Sequence, residues 1–267
     1  MPSSPAADPQ RIARLLGDAG LGWQVTWVAS TGSTNADLAG WAREGRAEGT
    51  VLVSEHQDSG RGRFERPWMA PPGTSVSMSV LLRPRRPVVD WGWLSLLVGL
   101  AVADGLRAVG GGDRVELKWP NDVLITGRKV CGILSEHVAT PAGDAAVCGW
   151  GLNVTMDASE LPVPTATSLL LAGLTTDKDE VIAAILRRLG DLYASWDAGA
   201  DLADEYARGC TTIGREVRVH LDQQAQEPAH VDGHAVGIGV NGELLVDVDG
   251  RVESFSAGDV VHLRPAG

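Results

Sequence analysis

The stretch Val115–Val154, VELKWPNDVLITGRKVCGILSEHVATPAGDAAVCGWGLNV, decides the fold class. Its apolar runs VELK, VLI, VCGILSEHV and AAVCGWGLNV are separated only by WPND and by the short turns TGRK and PAGD. Connections that short cannot house a helix, so three or four strands in an antiparallel meander are expected rather than alternating β–α units. Pro120 has no N–H to give to a ladder, so Trp119–Asn121 is expected to kink out of the sheet. Glycines inside the last run, GWGLN (Gly149–Asn153), point to close approach by a ligand or by backbone. That run is not a G-x-G-x-x-G fingerprint, and no helix follows it directly.

Upstream, Pro9–Leu21 carries apolar residues at helical spacing, and WQVTWVAS reads as a short extended stretch. Ser33 or Thr34 is a natural N-cap for a helix from Asn35 to about Glu44, with Leu38 and Trp41 on one face. Thr50–Gln57 (TVLVSEHQ) reads as a strand, and Thr74–Leu82 (TSVSMSVLL) alternates small polar with apolar residues, as a half-buried strand does. Between them lies a breaker-rich connection from Asp58 to about Gly73. Connections that long in a compact domain are usually functional or mobile. Pro84 and Pro87 precede a long helix from about Val88 to Ala108. Helices return at Asp177–Asp197 and Asp201–Gly209. From Thr211 the texture changes to short alternating strands (REVRVHL, HAVGIGV, GELLVDV, RVESFS, DVVHLR) split by Gly, Asn-Gly and Asp-Gly turns. The expectation is a small five-stranded β-barrel, with the chain divided into residues 1–210 and 211–267. The class is therefore α+β, a mixed or antiparallel sheet flanked by helices with that barrel appended.

The 267 residues, 44% hydrophobic and 21% charged, suffice for one large domain with a small companion. A net charge of −11 argues against bulk nucleic-acid binding, though not against a small anion held by a few local cations. The apolar run Trp91–Val109 is interrupted by Gly99, Asp104, Gly105 and Arg107, so it reads as a buried helix and no membrane partner is expected. The opening MPSSPAADPQ lacks a basic start and an apolar middle, which predicts a cytoplasmic protein. Cys131, Cys148 and Cys210 form no C-x-x-C pair and read as buried, inert thiols. The six histidines have no metal-ligand spacing.

Against this acidic background, residues 60–68 read GRGRFERPW. Glycines let backbone N–H groups approach a ligand, and Arg61, Arg63 and Arg66 offer planar forks for phosphate oxygens. Such a loop can close over a phosphorylated ligand, and Trp68 could stack on a purine. The alternative is a solvated turn whose arginines pair with carboxylates, Glu65 among them. No G-x-x-x-x-G-K-[ST] occurs, which excludes a P-loop NTPase. In KWPNDVLITGRKVCG (Lys118–Gly132), Lys118 and Lys129 flank a turn carrying Asp122, a hard oxygen ligand suited to Mg²⁺ accompanying a nucleotide. The alternative is an ordinary hairpin with surface lysines. TGSTN (Thr31–Asn35), taken alone, is a helix cap.

Together, S-T-N before a helix, E-H-Q-x-x-G-R-G-R after a strand, K-W-P-N-D with R-K-x-x-G-I-L, and G-x-G-L-N resemble the biotin–protein ligases over residues ~30–265. The resemblance implies a catalytic domain like that of class II aminoacyl-tRNA synthetases with a C-terminal SH3-like barrel. It implies activation of biotin by ATP and Mg²⁺ to biotinyl-5′-AMP, then transfer to a lysine of a biotin carboxyl carrier domain of an acetyl-CoA, acyl-CoA or pyruvate carboxylase. Longer members begin with a winged-helix DNA-binding domain; about thirty residues precede TGSTN here, so no repressor role and no nucleic-acid partner are expected.

Carried over by position, Lys129, Arg61 and Arg63 would act at the junction of biotin carboxylate and α-phosphate. Ser33, Thr34, Asn35, Gln57, Gly132 and Gly149, with Arg61 and Lys129, would bind biotin. Arg66, Trp68, Lys118, Asn121 and Asn153, with Arg61, Arg63 and Lys129, would bind ATP, and Asp122 would help hold Mg²⁺. The usual loop pattern is G-R-G-R-x-G-R-x-W. Here Glu65 replaces the second glycine, which predicts lost freedom for positive φ and a carboxylate that points outward or pairs with a neighbouring arginine. Two other readings share features with this one: a lipoate–protein ligase or octanoyl transferase on the same catalytic fold, and a non-catalytic biotin-sensing regulator.

Overall fold

Two β-sheets organise residues 5–221, 230–256 and 258–263, which are those described in the computed structural model. The first holds seven strands: β1 (Gln24–Val28), β2 (Thr50–Ser54), β3 (Ser75–Leu82), β4 (Val115–Lys118), β5 (Asp122–Ile125), β6 (Arg128–Thr140) and β7 (Gly143–Asn153). Their order is β1-β2-β3-β7-β6-β5-β4. Strands β4 to β7 form the expected antiparallel meander, with neighbours in sequence paired in space. Strand β7 then pairs back onto β3, and β1 runs parallel to β2. Pro120 sits in the turn between β4 and β5, outside both ladders.

Side-chain caps start three of the five α-helices among the described residues. Asp8 accepts from the Gln10 N–H ahead of α1 (Pro9–Leu16), Ser33 from the Ala36 N–H ahead of α2 (Thr34–Arg43), and Asp177 from two N–H groups ahead of α4 (Lys178–Asp197). In α3 (Trp93–Leu106) every residue except Ser95 and Asp104 is buried. The segment Val88–Arg114 is long and apolar enough to cross a membrane, yet it lies between the sheet and α4 as a core helix. The two residues of α3 that are not buried are Ser95 and Asp104, and Asp104 takes bonds from both Arg107 and Arg188.

The helices cover both faces of the sheet. Helix α2 packs against Leu52, Leu81 and Val147 on one face, while α1, α3 and α4 join Val53, Met78 and Val80 on the other. Strand β3 consequently differs from the half-buried expectation: all eight of its residues are buried. Its polar face consists of Ser75, Ser77 and Ser79, residues small enough to lie beneath α2 and the functional site.

Helix α5 (Ala203–Gly209) leads into the second sheet: β8 (Glu216–His220), β9 (His230–Ile238), β10 (Leu244–Val248), β11 (Arg251–Phe255) and β12 (Asp259–His262), ordered β11-β10-β9-β8-β12. The unit is the expected small five-stranded β-unit, all antiparallel, and among the described residues no ladder joins β11 to β12. The expected strand DVVHLR ends at His262; Arg264 lies outside the described residues. Val217, Val219, Leu244 and Val246 belong to the same hydrophobic cluster as α3. Trp93 and Trp119 donate their indole N–H groups to Val240 and Gly242 carbonyls at 2.8 and 3.0 Å, which clips the second sheet to the first.

Candidate active site

A cavity of about 620 Å³ opens over β6 and β7, between the connection that follows β2, the β4–β5 turn, and β12. Two different chemistries line it. At one end, neutral polar groups from the start of α2 and from β2–β3 form a closed hydrogen-bond network. The Thr34 N–H and hydroxyl both donate to Gln57 Oε1, at 2.8 and 3.1 Å. Ser79 Oγ lies 2.7 Å from Thr34 Oγ1 and 2.6 Å from Asn35 Oδ1. Asn35 Nδ2 donates to the Leu134 carbonyl at 3.1 Å and to Glu136 Oε2 at 2.6 Å.

Counting protons gives the polarity of what remains. Both Asn35 Nδ2 protons are used within the protein, so its available group is the acceptor Oδ1. Gln57 Oε1 already takes two bonds, so its available group is the donor Nε2. The cluster therefore offers a ligand a neutral donor group and a neutral acceptor on the wall of one cavity. Gly149 is required here, since a Cβ on it would lie 2.0 Å from Asn35 Oδ1.

At the other end stand cations. The basic connection is a closed knuckle: Gly62 N–H donates to the Arg66 carbonyl and Trp68 N–H to the Gly60 carbonyl, both at 2.8 Å, around a 3-10 turn at Arg63–Glu65. Four of the five cations have a carboxylate beside them. Arg61 lies 3.2 Å from Glu65, Arg66 pairs with Asp259 of β12, and Lys129 lies 2.5 Å from Asp122. Arg63 donates to the Gly258 carbonyl at 3.1 Å, with Asp259 at 3.9 Å. Burial pushes the Arg63 guanidinium below its ordinary value, opposed by Asp259 and Asp122.

Glu65 answers the expectation set for it in two ways. Its side chain points outward, 75% exposed, and pairs with Arg61. Its backbone nevertheless keeps positive φ, 56°, following Phe64 at 57°. The freedom expected to be lost is instead used by residues with side chains, at a strain of order 1 kcal/mol each. Arg63 and Arg66 both lie over the Phe64 ring, at 4.9 and 5.7 Å from its centroid, which holds the knuckle in that shape.

The indole of Trp68 lies flat on the sheet. A Cβ on Gly151 would meet that ring at 2.2 Å, so Gly151 is as obligatory as Gly149. Trp68 Nε1 is buried over Gly151 with no hydrogen-bond partner among the described residues. Two asparagines act first as tethers: Asn121 Nδ2 donates to the Ile133 carbonyl, and Asn153 Nδ2 to the Thr167 carbonyl, both at 2.9 Å. Behind the β4–β5 turn, Thr212 Oγ1 accepts from the Trp119 N–H and lies 3.1 Å from His262 Nε2. Burial, with help from Lys118 and Arg215, lowers His262 to about 4, so at neutral pH its Nε2 can accept the Thr212 proton.

No protein nucleophile is evident. Burial pushes the Cys131 thiol up and that of Cys148 up to about 12, and all three cysteines are buried and free. Among the described residues there is also no group of three or more His, Cys, Asp or Glu side chains placed to hold a metal.

Comparison with known proteins decides the family. Residues 27–153 match the Biotin/lipoate A/B protein ligase family. The chain is 44% identical to the biotin–[acetyl-CoA-carboxylase] ligase of Mycobacterium tuberculosis (strain ATCC 25618 / H37Rv), over 97% of each. The chain belongs to the biotin protein ligase family. It is also 30% identical to the bifunctional ligase/repressor BirA of Escherichia coli (strain K12), over 82% of this chain and 67% of that protein. Among solved structures, the biotin protein ligase from Aquifex aeolicus in complex with biotin and ATP superposes with a TM-score of 0.73 at 26% identity. That match covers 90% of this chain and 99% of the other.

In this ligase the fifteen residues singled out from sequence all lie on the walls of the one cavity. The structure also adds residues that no motif announced. Ser79 and Glu136 complete the neutral network from the middle of strands. Gly151 carries Trp68; its motif was noted, but only Gly149 was assigned. Asp259 and His220 come from the second sheet, and Pro162 and Val163 from the connection after β7. Asp122, expected to help hold Mg²⁺, stands 2.5 Å from Lys129.

Proposed function

We infer that the chain is an ATP-dependent ligase that activates biotin to biotinyl-5′-AMP and transfers the biotinyl group to a carrier lysine. The observation that carries the site assignment is the meeting of a neutral donor–acceptor cluster with five lysine and arginine side chains in a single cavity. Biotin has the matching halves: an uncharged ureido ring with two N–H groups and a carbonyl, and a carboxylate. The relatives support the chemistry, since one is a biotin–[acetyl-CoA-carboxylase] ligase and a structural neighbour holds biotin and ATP.

In the first step a biotin carboxylate oxygen forms a bond to the α-phosphorus of ATP, and the bond from that phosphorus to the β-phosphate bridge breaks, releasing pyrophosphate. Two anions must approach each other, so cations at the junction lower the barrier. Lys129, Arg61 and Arg63 occupy that place, with Trp68 against the adenine and Asn153 on the base. Arg66, Lys118 and Asn121 line the nucleotide side. The ureido ring sits against Ser33, Thr34, Asn35 and Gln57, and Gly132 and Gly149 leave room for the ligand. In the second step a neutral lysine amine of the carrier attacks the acyl carbon and AMP leaves.

Asp122 is a hard oxygen ligand on the cavity wall whose Oδ1 stands 2.5 Å from Lys129, and it would help hold a Mg²⁺ carried mainly by ATP oxygens once that lysine turns to the phosphates. That metal would supply charge neutralisation on the phosphates. Residues 1–210 form the catalytic unit in this reading, and residues 211–267 close one wall of the cavity through Asp259 and His220. The partner is the biotin carboxyl carrier domain of an acetyl-CoA, acyl-CoA or pyruvate carboxylase, in the cytoplasm. Nucleic acid and membrane have no part in it.

The test incubates the full chain with Mg-ATP and labelled biotin, or with lipoate, with and without a carrier domain. Pyrophosphate release and carrier labelling with biotin alone are expected. Labelling with lipoate but not biotin, or no adenylate at all, overturns the reading.

A further inference from the structure

Glu136 does not line the cavity, yet it holds one of the groups that does. Asn35 is buried, and an amide can sit in either of two orientations that exchange donor and acceptor. Here Nδ2 meets Glu136 Oε2 at 2.6 Å and the Leu134 carbonyl at 3.1 Å, while Oδ1 meets the Ser79 hydroxyl at 2.6 Å beside Gly149. Turning the amide over would set Oδ1 against a carboxylate and a carbonyl, with no proton between them. The carboxylate bond is charge-assisted, roughly twice the strength of the bond to Leu134.

We propose that Glu136 is a positioning residue for biotin selection: it fixes Asn35 with its oxygen toward the cavity, so that the site accepts a ring N–H. Gln57, whose oxygen is occupied by Thr34, supplies the complementary donor. Together they read the N–H and C=O order of a cyclic urea and disfavour a ring in which that N–H is replaced. Strands β6 and β7 hold the device from beneath. Glu136 stands opposite Val147 in the ladder and therefore cannot swing away with the basic connection. This inference rests on the placement of the ureido ring against Asn35 given above.

The test is steady-state kinetics of the full chain carrying Glu136→Ala, Glu136→Gln, Asn35→Ala and the Glu136→Ala/Asn35→Ala double substitution. Glu136→Ala is expected to raise the biotin KM about 10-fold, with the ATP KM and the kcat at saturating biotin both within about twofold of the parent. Glu136→Gln keeps an acceptor oxygen without its charge and is expected to raise the biotin KM about threefold. The double variant is expected to match Asn35→Ala alone, because both act through one amide. A biotin KM unmoved by Glu136→Ala while Asn35→Ala raises it overturns the role of Glu136. Fully additive effects, or equal rises in the biotin and ATP KM, do the same. A biotin KM unmoved by Asn35→Ala overturns the placement of the ring itself. Should Glu136→Ala fail to fold, Glu136→Gln decides: a rise confined to biotin supports the proposal, and none overturns it.

Discussion

The two ends of the cavity meet the same problem, a polar ligand in a partly buried site, by opposite means. The neutral end, around Thr34, Asn35, Gln57 and Ser79, is saturated with internal bonds and leaves only selected atoms free. At the cationic end the side chains stay partly exposed, and Arg61, Arg66 and Lys129 each rest against a carboxylate of the same chain. The difference follows from the strength and reach of the forces. A neutral hydrogen bond contributes about 1 kcal/mol and only in good geometry, so recognition by such bonds has to be built rigid beforehand. Charges act over longer range and tolerate exchange of partner, so the cations can wait on internal counter-ions until phosphates replace them.

The largest expected effect is at the cationic end. Lys129→Ala should slow adenylate formation by roughly 10²–10³-fold, read as pyrophosphate release at saturating biotin and ATP. A loss of less than about tenfold would mean the charges there are interchangeable and would dissolve the contrast. A smaller effect is expected at the neutral end. Gly149→Ala places a methyl 2.0 Å from Asn35 Oδ1, and the side chain has to move. The cost of about 1–3 kcal/mol should appear as a ~10–100-fold loss in kcat/KM for biotin, with the ATP KM unchanged. An equal rise in the ATP KM would show that the two ends are not separate. The smallest effect is a gain. Glu65→Gly removes the counter-ion of Arg61 and relieves one strained φ, so the ATP KM should fall about twofold and the thermal midpoint rise by about 2–4 °C. If neither moves, the Arg61–Glu65 pair is surface decoration.

How much of this could be read beforehand divides along the same line. The cationic end was legible because its residues crowd into short segments, GRGRFERPW and KWPNDVLITGRK, whose composition is odd against an acidic chain. The antiparallel meander was legible for a similar reason, since its turns are too short for anything else. Ser79 and Glu136 were not legible. Each is one polar residue in the middle of a strand, and its meaning comes from α2, whose start lies more than forty residues upstream. The burial of β3 was missed through the same kind of distance: alternation along a strand reports its two faces, not whether a helix covers both. The pairing of the Arg66 guanidinium with Asp259 joins positions almost two hundred residues apart, and no local pattern could announce it.

The basic connection joins β2 to β3, and those two strands are hydrogen-bonded neighbours running antiparallel. Topologically it is therefore an overgrown hairpin loop, residues 55–74, whose ends are held together whatever lies between them. Closing such a loop costs chain entropy that grows only as the logarithm of its length, about 0.6 kcal/mol per doubling. Residues can be inserted, removed or exchanged there while the sheet beneath stays in register. An uncommon glutamate and a proline in the middle of the catalytic apparatus are thus changes the fold itself hardly registers. A part of the molecule on which the chemistry leans is also a part little bound by the requirements of folding.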